Sequence, residues 1–449
     1  MQYQAIGSWL HSVIYAKVRK SYIMSLMTKT EKSSSGLNFS DKFLWGASVS
    51  THQVEGCNHN QWSIWELETA RQRAAEAEYN YSHLDCWEDI KDQVILPSNY
   101  VSGVSSDHYN RYVSDFEYVK KLNFTALRSG IEWSRIEPDD GKFDKQALAH
   151  YQDYFKELKK AGVTPILTLW HWTFPEWFAD KGGFLKRSNV KYYVRYVKFI
   201  MENFGVDIKY FITINEPTTY AGMSYYEKRW PPQKKSVVAT VRVLHNLALA
   251  HRRAYKIIKK PYPKSQVGLA HSLSYFYAGD SSIISRFSAW VAHKVGNEYF
   301  LNLVKKQQDY LGLNYYFANR LVGTRVHNLN KEQNDLGWSL EPDKLRPFLS
   351  VLYKKYKLPI IITESGVADR QDKYRKWWIA QSIKAIDGAQ KDGVMMLGYI
   401  HWSLLDNFEW AEGFWPRFGL IEVDYKTQQR SLRPSAKWYG QVIGKIRGL

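Results

Sequence analysis

Eight short runs of β-branched and aromatic residues recur along the chain, at 43–48, 125–131, 163–169, 210–214, 266–270, 310–313, 359–363 and 395–402. Between them lie stretches of helical periodicity, at 81–94, 112–122, 145–160, 189–203, 237–259, 285–305, 343–356 and 374–391, and a last one at 434–446 closes the chain. Strands that alternate with amphipathic helices build parallel sheets with right-handed crossovers. Eight such strands close into a barrel filled by their own side chains. The expected fold is therefore α/β, a single (β/α)8 TIM barrel, and 449 residues accommodate it with long loops. Gly162 stands where the helix at 145–160 needs its C-terminal cap. Residues 41–449 contain no linker and no internal repeat and are assigned to the barrel.

Residues 1–40 do not fit that rhythm and are set apart as an N-terminal extension, disordered or the product of an over-extended start with Met24 or Met27 as the true beginning. Ile6, Trp9, Leu10, Val13, Ile14 and Val18 have helical spacing, but His11, Lys17, Arg19 and Lys20 interrupt any signal-peptide core. A weak membrane-surface helix is the alternative for this segment. No apolar run reaches the roughly 18 residues of a membrane span, so none is expected. The net charge of +18 raises nucleic acid as a partner. No zinc-finger spacing, RNP-like motif or glycine-arginine tract accompanies it, and most Lys and Arg fall on polar faces of predicted helices, so no nucleic-acid partner is expected. Cys57 and Cys86 form no disulfide framework and fit a reducing, cytoplasmic setting, with Cys57 read as a small buried residue.

In a barrel of this kind the chemistry sits at the C-terminal ends of the strands. Two strands end there in the same way. The run at 210–214 leads to Asn215 and Glu216, and Pro217, which lacks an N–H, stops the ladder. The run at 359–363 leads to Glu364, followed by Ser365 and Gly366. A carboxylate at the mouth of a buried strand is costly unless it is used. Two of them on one rim suggest the paired carboxylates of glycoside hydrolysis. Other polar and aromatic residues converge on that rim: Gln53 and Glu55 after strand one, Arg128 inside strand two, His171 and Trp172 after strand three, Asn314 and Tyr316 after strand six, and Trp402, Glu409 and Trp410 after strand eight. Arg128 is an inward charge that needs a carboxylate partner. The 18 Trp, 32 Tyr and 20 Phe fit a large aromatic core as well as a surface that stacks on sugar rings.

From Phe43 to about Tyr439 the chain resembles glycoside hydrolase family 1, the β-glucosidase/β-galactosidase family. The motifs that carry the resemblance are Phe43-Leu44-Trp45-Gly46-Ala47-Ser48, Gln53-Val54-Glu55-Gly56, His171-Trp172, Thr213-Ile214-Asn215-Glu216-Pro217, Gly312-Leu313-Asn314-Tyr315-Tyr316, Ile362-Thr363-Glu364-Ser365-Gly366 and the run from His401 to Trp410. The resemblance implies a retaining exo-β-glycosidase acting on terminal β-glucosyl residues, and also galactosyl or fucosyl ones, without metal or cofactor. Glu364 would be the nucleophile and Glu216 the acid/base. Arg128 and the Tyr316 hydroxyl would favour ionised Glu364, while burial and that nearby charge would raise the pKa of Glu216. Asn215 would bond the sugar 2-OH. Gln53, His171, Asn314 and Glu409 would serve the remaining polar contacts, with Trp172, Trp402 and Trp410 around the glycone and Trp338 as the aglycone platform.

Ser365 stands where the family commonly has Asn, and His52 where it often has Tyr; neither change removes a catalytic group. Two other readings stay open. One is a 6-phospho-β-glycosidase, which the positive charge favours and Glu409 opposes, because a carboxylate there would repel a 6-phosphate. The other is a carbohydrate-binding pseudoenzyme, opposed by the survival of both glutamates. Oligomeric state is not legible in the sequence.

Overall fold

The computed structural model describes Leu37 and residues 39–205 and 207–449. The extension assigned to residues 1–40, with its helical spacing, lies almost wholly outside the described residues. Eight parallel strands form a closed barrel: β1 (Leu44–Ser48), β2 (Ala126–Gly130), β3 (Thr164–Thr168), β4 (Tyr210–Asn215), β5 (Gln266–Ser272), β6 (Leu311–Asn314), β7 (Ile360–Glu364) and β8 (Met396–Trp402). Each strand pairs with its sequence neighbour, and β1 pairs with β8 from Leu44↔Gly398 to Ser48↔Trp402, which closes the ring. The expected (β/α)8 barrel is the observed one, and every strand falls within two residues of its expected position.

The barrel has two apolar layers. Leu44, Ala126, Ile166, Tyr210, Ile212, Tyr310, Ile361 and Ile400 fill its inside. A larger cluster lies between the strands and the surrounding helices. Lys145–Lys160 shows how a helix joins it. Asp144 caps the start by accepting from the Gln146 and Ala147 amides (2.7 and 3.0 Å), and Leu148, Tyr151, Phe155 and Leu158 recur on the buried face. Gly162 follows with φ +75°, the left-handed conformation that ends a helix without a Cβ penalty.

Three regions differ from the sequence reading. The first βα connection contains a long helix, α1 (Gln61–Ala75), that the apolar pattern does not reveal, and the helix expected at 81–94 is two short ones, Ala77–Tyr81 and Trp87–Val94. Cys57 is exposed in a loop, with φ +51°, instead of buried. The stretch expected as one helix at 285–305 is α2 (Ile283–Ala292), a π turn over His293–Glu298 and a last turn over Tyr299–Val304.

Register breaks occur at two places that matter. The β4–β5 pairing slips between Ile212 and Asn215, and the β7–β6 pairing slips between Ile362 and Glu364. A bulge bends its strand and re-aims the side chains beside it. Both strands are therefore re-aimed at the residues that lead to Glu216 and Glu364.

Candidate active site

The residues at the C-terminal ends of the strands surround one cleft of about 520 Å³. Gln53, His171, Trp172, Glu216, Tyr316, Trp338, Glu364, Trp402, Glu409 and Trp410 line it. Arg128 and Asn314 lie directly beneath, in contact with Glu364 and Glu216, and Asn215 is hydrogen-bonded to Arg128 and Asn314.

Glu364, at the end of β7, is buried and held on both oxygens. Arg128 donates from Nη1 to Oε1, and the Tyr316 hydroxyl donates to Oε2 at 2.7 Å. Arg128 is locked in turn. Its Nε donates to Thr168 Oγ1 (3.1 Å), Nη1 also to the Thr363 carbonyl (3.2 Å), and Nη2 to Asn215 Oδ1 (2.7 Å). The carboxylate partner that an inward arginine requires is thus Glu364.

Glu216 follows β4, and Pro217 both ends the strand and opens the helix Pro217–Tyr225 at its first turn. Glu216 has φ +41° and its N–H donates to the Ala270 carbonyl at 2.8 Å. Its Oε1 accepts from Asn314 Nδ2 at 2.6 Å. The carboxyl is pushed up to about 8, first by burial and then by the charge of Glu364. Two strand ends on one rim therefore hold carboxyl groups in opposite states: one paired to a guanidinium and a phenol, the other holding its proton at neutral pH.

The amides have defined orientations. Arg128 can only donate, so the Asn215 oxygen faces it and the Asn215 NH2 faces His171 Nε2 at 2.8 Å. That nitrogen must accept, so His171 is neutral with its proton on Nδ1, in keeping with a pKa driven well below the usual value by burial and by Arg128. Asn314 accepts from Thr363 Oγ1 (2.7 Å) and donates toward both Asn215 and Glu216.

The far wall is carboxylic and aromatic. Gln53 donates from Nε2 to Asn407 Oδ1 (3.0 Å) and the Phe408 carbonyl (2.9 Å) and approaches Glu409 (3.4 Å). Its buried Oε1 has no partner among the described residues. Glu409 is pushed up to about 8 by burial and by the charges of Glu364, Glu412 and Glu216. Trp402 and Trp410 are nearly buried. Trp410 stacks on His52 (centroids 5.5 Å) and His171 (5.8 Å). Trp172 spends its N–H on the Asn215 carbonyl (3.0 Å) and packs on Trp230 and Trp410, so it braces the floor as well as lining the cleft. Trp338 stands opposite with Phe317, Tyr316 and Phe418. Trp172, Glu216 and Trp410 all have positive φ, a local strain that clusters at functional sites.

The sequence reading missed the outer part of the cleft. Tyr81, Arg229, Trp230 and Glu412 line it, with Glu412 accepting from the Tyr81 hydroxyl (2.6 Å) and from Arg229 (2.9 Å). The one local signal was the capping box at the start of α1, where Asn60 accepts from the Ser63 amide and the Ser63 hydroxyl meets the Asn60 amide, both at 3.0 Å. Among the described residues no group of three or more His, Cys, Asp or Glu is placed to hold a metal ion.

Known proteins share the sequence pattern and the fold of this chain. The model of glycosyl hydrolase family 1 matches residues 36–312 and 293–447. The chain belongs to that family. β-Glucosidase A of Thermotoga maritima is 29% identical over 470 residues, covering 92% of this chain and 98% of its own length. A β-glycosidase from Pyrococcus horikoshii has a TM-score of 0.80 and 31% identity, with 92% of this chain and 98% of that one covered. A 6-phospho-β-galactosidase of Clostridium acetobutylicum is 25% identical over 484 residues, covering 90% of this chain and 97% of its own length.

The protein is thus a glycoside hydrolase of family 1, with β-glucosidases among its relatives. Its two departures from the family pattern are absorbed by packing. Ser365 accepts from Trp378 Nε1 at 2.9 Å, and His52 bridges Glu66 (2.7 Å) and Asn60 (3.1 Å) beneath Trp410. Among the described residues no helix is long and apolar enough to cross a membrane.

Proposed function

We propose that the protein is a retaining exo-β-glycosidase that removes terminal β-D-glucosyl residues, and also galactosyl or fucosyl ones, from β-glycosides and short oligosaccharides. The observation that carries this reading is the electrostatic division between Glu364, clamped by Arg128 and Tyr316, and Glu216, whose carboxyl is raised to about 8. A Glu364 oxygen attacks the anomeric carbon and forms a covalent ester while Glu216 gives its proton to the departing glycosidic oxygen. Esterification removes the negative charge beside Glu216. Its pKa then falls, and it takes a proton from the water that attacks the anomeric carbon and expels the Glu364 carboxylate, which restores both groups.

The Asn215 amide is held by Arg128 in the orientation that presents a donor, suited to the sugar 2-OH. Gln53 offers its unpartnered oxygen and Glu409 its carboxyl to the outer hydroxyls. Trp402 and Trp410 provide flat apolar surface for the glycone, and Trp338 for the aglycone. Glu409 also disfavours a 6-phosphorylated sugar, the substrate named for one relative, because the phosphate would enter a buried wall where the Glu364, Glu412 and Glu216 carboxyls already oppose added negative charge.

Aryl β-glycosides test the reading. Turnover of the glucoside with the β-anomer released first is expected, and Glu364→Ala should lower kcat by on the order of 10⁴-fold or more. Normal hydrolysis by Glu364→Ala, release of the α-anomer, or no turnover of any β-glycoside would overturn it.

A further inference from the structure

Helix α2 is built inside out. Ser282 caps its start, accepting from the Ile284 and Ser285 amides (3.1 and 3.3 Å), and its fully buried residues are the small Ser285 and Ala289. The large apolar residues face solvent: Ile283 is 79% exposed, Phe287 62% and Trp290 55%. With Ile284, Val291 and Val295 they continue one stripe into the π turn. Phe287 and Trp290 stack on each other in the open, ring centroids 5.8 Å apart.

The neighbouring helix, α3 (Val237–Lys259), extends the surface. His245 bonds Tyr299 (2.8 Å) and Arg252 reaches the Leu303 carbonyl (3.2 Å), which sets α3 beside the turn Tyr299–Val304 that follows α2 and the π turn. At the start of α3, Val237, Val238 and Val241 are exposed as well. The platform joins the cleft rim. The short strands Tyr275–Ala278 and Ala318–Val322 pair beside α2 just after the cleft residues Ser272 and Phe317, and Gly323 donates to Ser285 Oγ at 2.8 Å.

The chain around this apolar face carries an excess of one sign of charge. Residues 217–306 hold 15 Lys and Arg against three acidic residues, Glu227, Asp280 and Glu298. Lys234, Lys235, Arg242 and Arg286 border the exposed valines and phenylalanine and make no ion pair among the described residues. A face of this kind, an apolar stripe flanked by free cations on a rigid helix, matches an acidic lipid surface, where the apolar residues enter the headgroup boundary and the cations meet anionic headgroups. A second copy of the chain matches it poorly, because a two-fold contact would set these cations against their own equivalents.

We propose that the α2 face, with the start of α3, docks the enzyme reversibly on anionic lipid bilayers beside the cleft. Full-length protein is centrifuged at physiological ionic strength with vesicles of phosphatidylcholine alone or of equal parts phosphatidylcholine and phosphatidylserine. Binding to the anionic vesicles is expected, with partition lowered at least about tenfold by Phe287→Glu/Trp290→Glu and also by Lys235→Glu/Arg286→Glu. Both variants should keep wild-type turnover of an aryl β-glucoside, which shows that the fold is intact. No binding by the wild type, unchanged binding by either variant, or equal binding to phosphatidylcholine alone overturns the proposal. So does a concentration-dependent dimer in analytical ultracentrifugation that Phe287→Glu/Trp290→Glu abolishes while vesicles bind nothing.

Discussion

Replacing Glu216 by glutamine should remove the basic limb of the pH–rate profile. Glu216 is raised from 4.5 to about 8 by burial and by the charge of Glu364. At about 1.36 kcal/mol per pKa unit, ionising it in place costs about 5 kcal/mol more than in water. The acid must start protonated, so the basic side of the wild-type kcat/KM profile should fall as pH rises through about 8, about tenfold per unit. Glu216→Gln cannot give up a proton. With an alkyl β-glucoside its kcat/KM should be lower by about 10²–10⁴-fold. An aryl glucoside whose leaving group needs no proton should lose much less, and its profile should stay flat above pH 8. Stability follows the same linkage. The folded pKa lies above the unfolded one, so the contribution is fully present below pH 4.5 and is lost as pH rises toward about 8. Wild-type stability should therefore fall across that window relative to the variant, whose neutral amide does not titrate. Glu409 is the competing titrant, since it too is raised to about 8. If Glu216→Gln keeps the basic limb while Glu409→Gln abolishes it, the assignment of the acid is wrong.

Two further outcomes follow from the same charges. Arg128→Met leaves Glu364 buried without its cation and should destabilise the protein by about 3–5 kcal/mol in urea unfolding, together with a large loss of kcat; a cost below about 1 kcal/mol would show that water replaces the guanidinium. Glu409→Ser should raise KM for unsubstituted aryl glucosides and improve turnover of the 6-phosphorylated analogue relative to them by about tenfold, whereas a wild-type preference for the phosphorylated sugar would refute the role given to Glu409.

The inner site was legible because it is tied to the barrel. Strands buried on both faces read as β-branched runs, and Glu216 and Glu364 stand out as single carboxylates where those runs end. The outer cleft was not legible. Helix α1 buries Gln61 and Glu66 as well as Trp62 and Trp65, so its sequence lacks an apolar stripe, and Tyr81, Arg229 and Glu412 meet only because three separate loops converge. The exposure of Cys57 was not legible because it depends on the path of a loop, where the residue takes a positive φ.

Strand count, strand order and the two rim glutamates are properties of the sequence alone, because period and composition register burial on each residue independently of its distant neighbours. The tertiary structure decided what needs two distant segments at once. It decided the register slips beside both glutamates, the Arg128 bridge that fixes the Asn215 amide, and the proton held on Glu216 by burial and by a charge more than a hundred residues away. It also decided which way the stripe on α2 points. Periodicity shows that a helix has an apolar face, but only the packing of Ser285 and Ala289 against the small sheet beside the barrel shows that this one is turned to solvent.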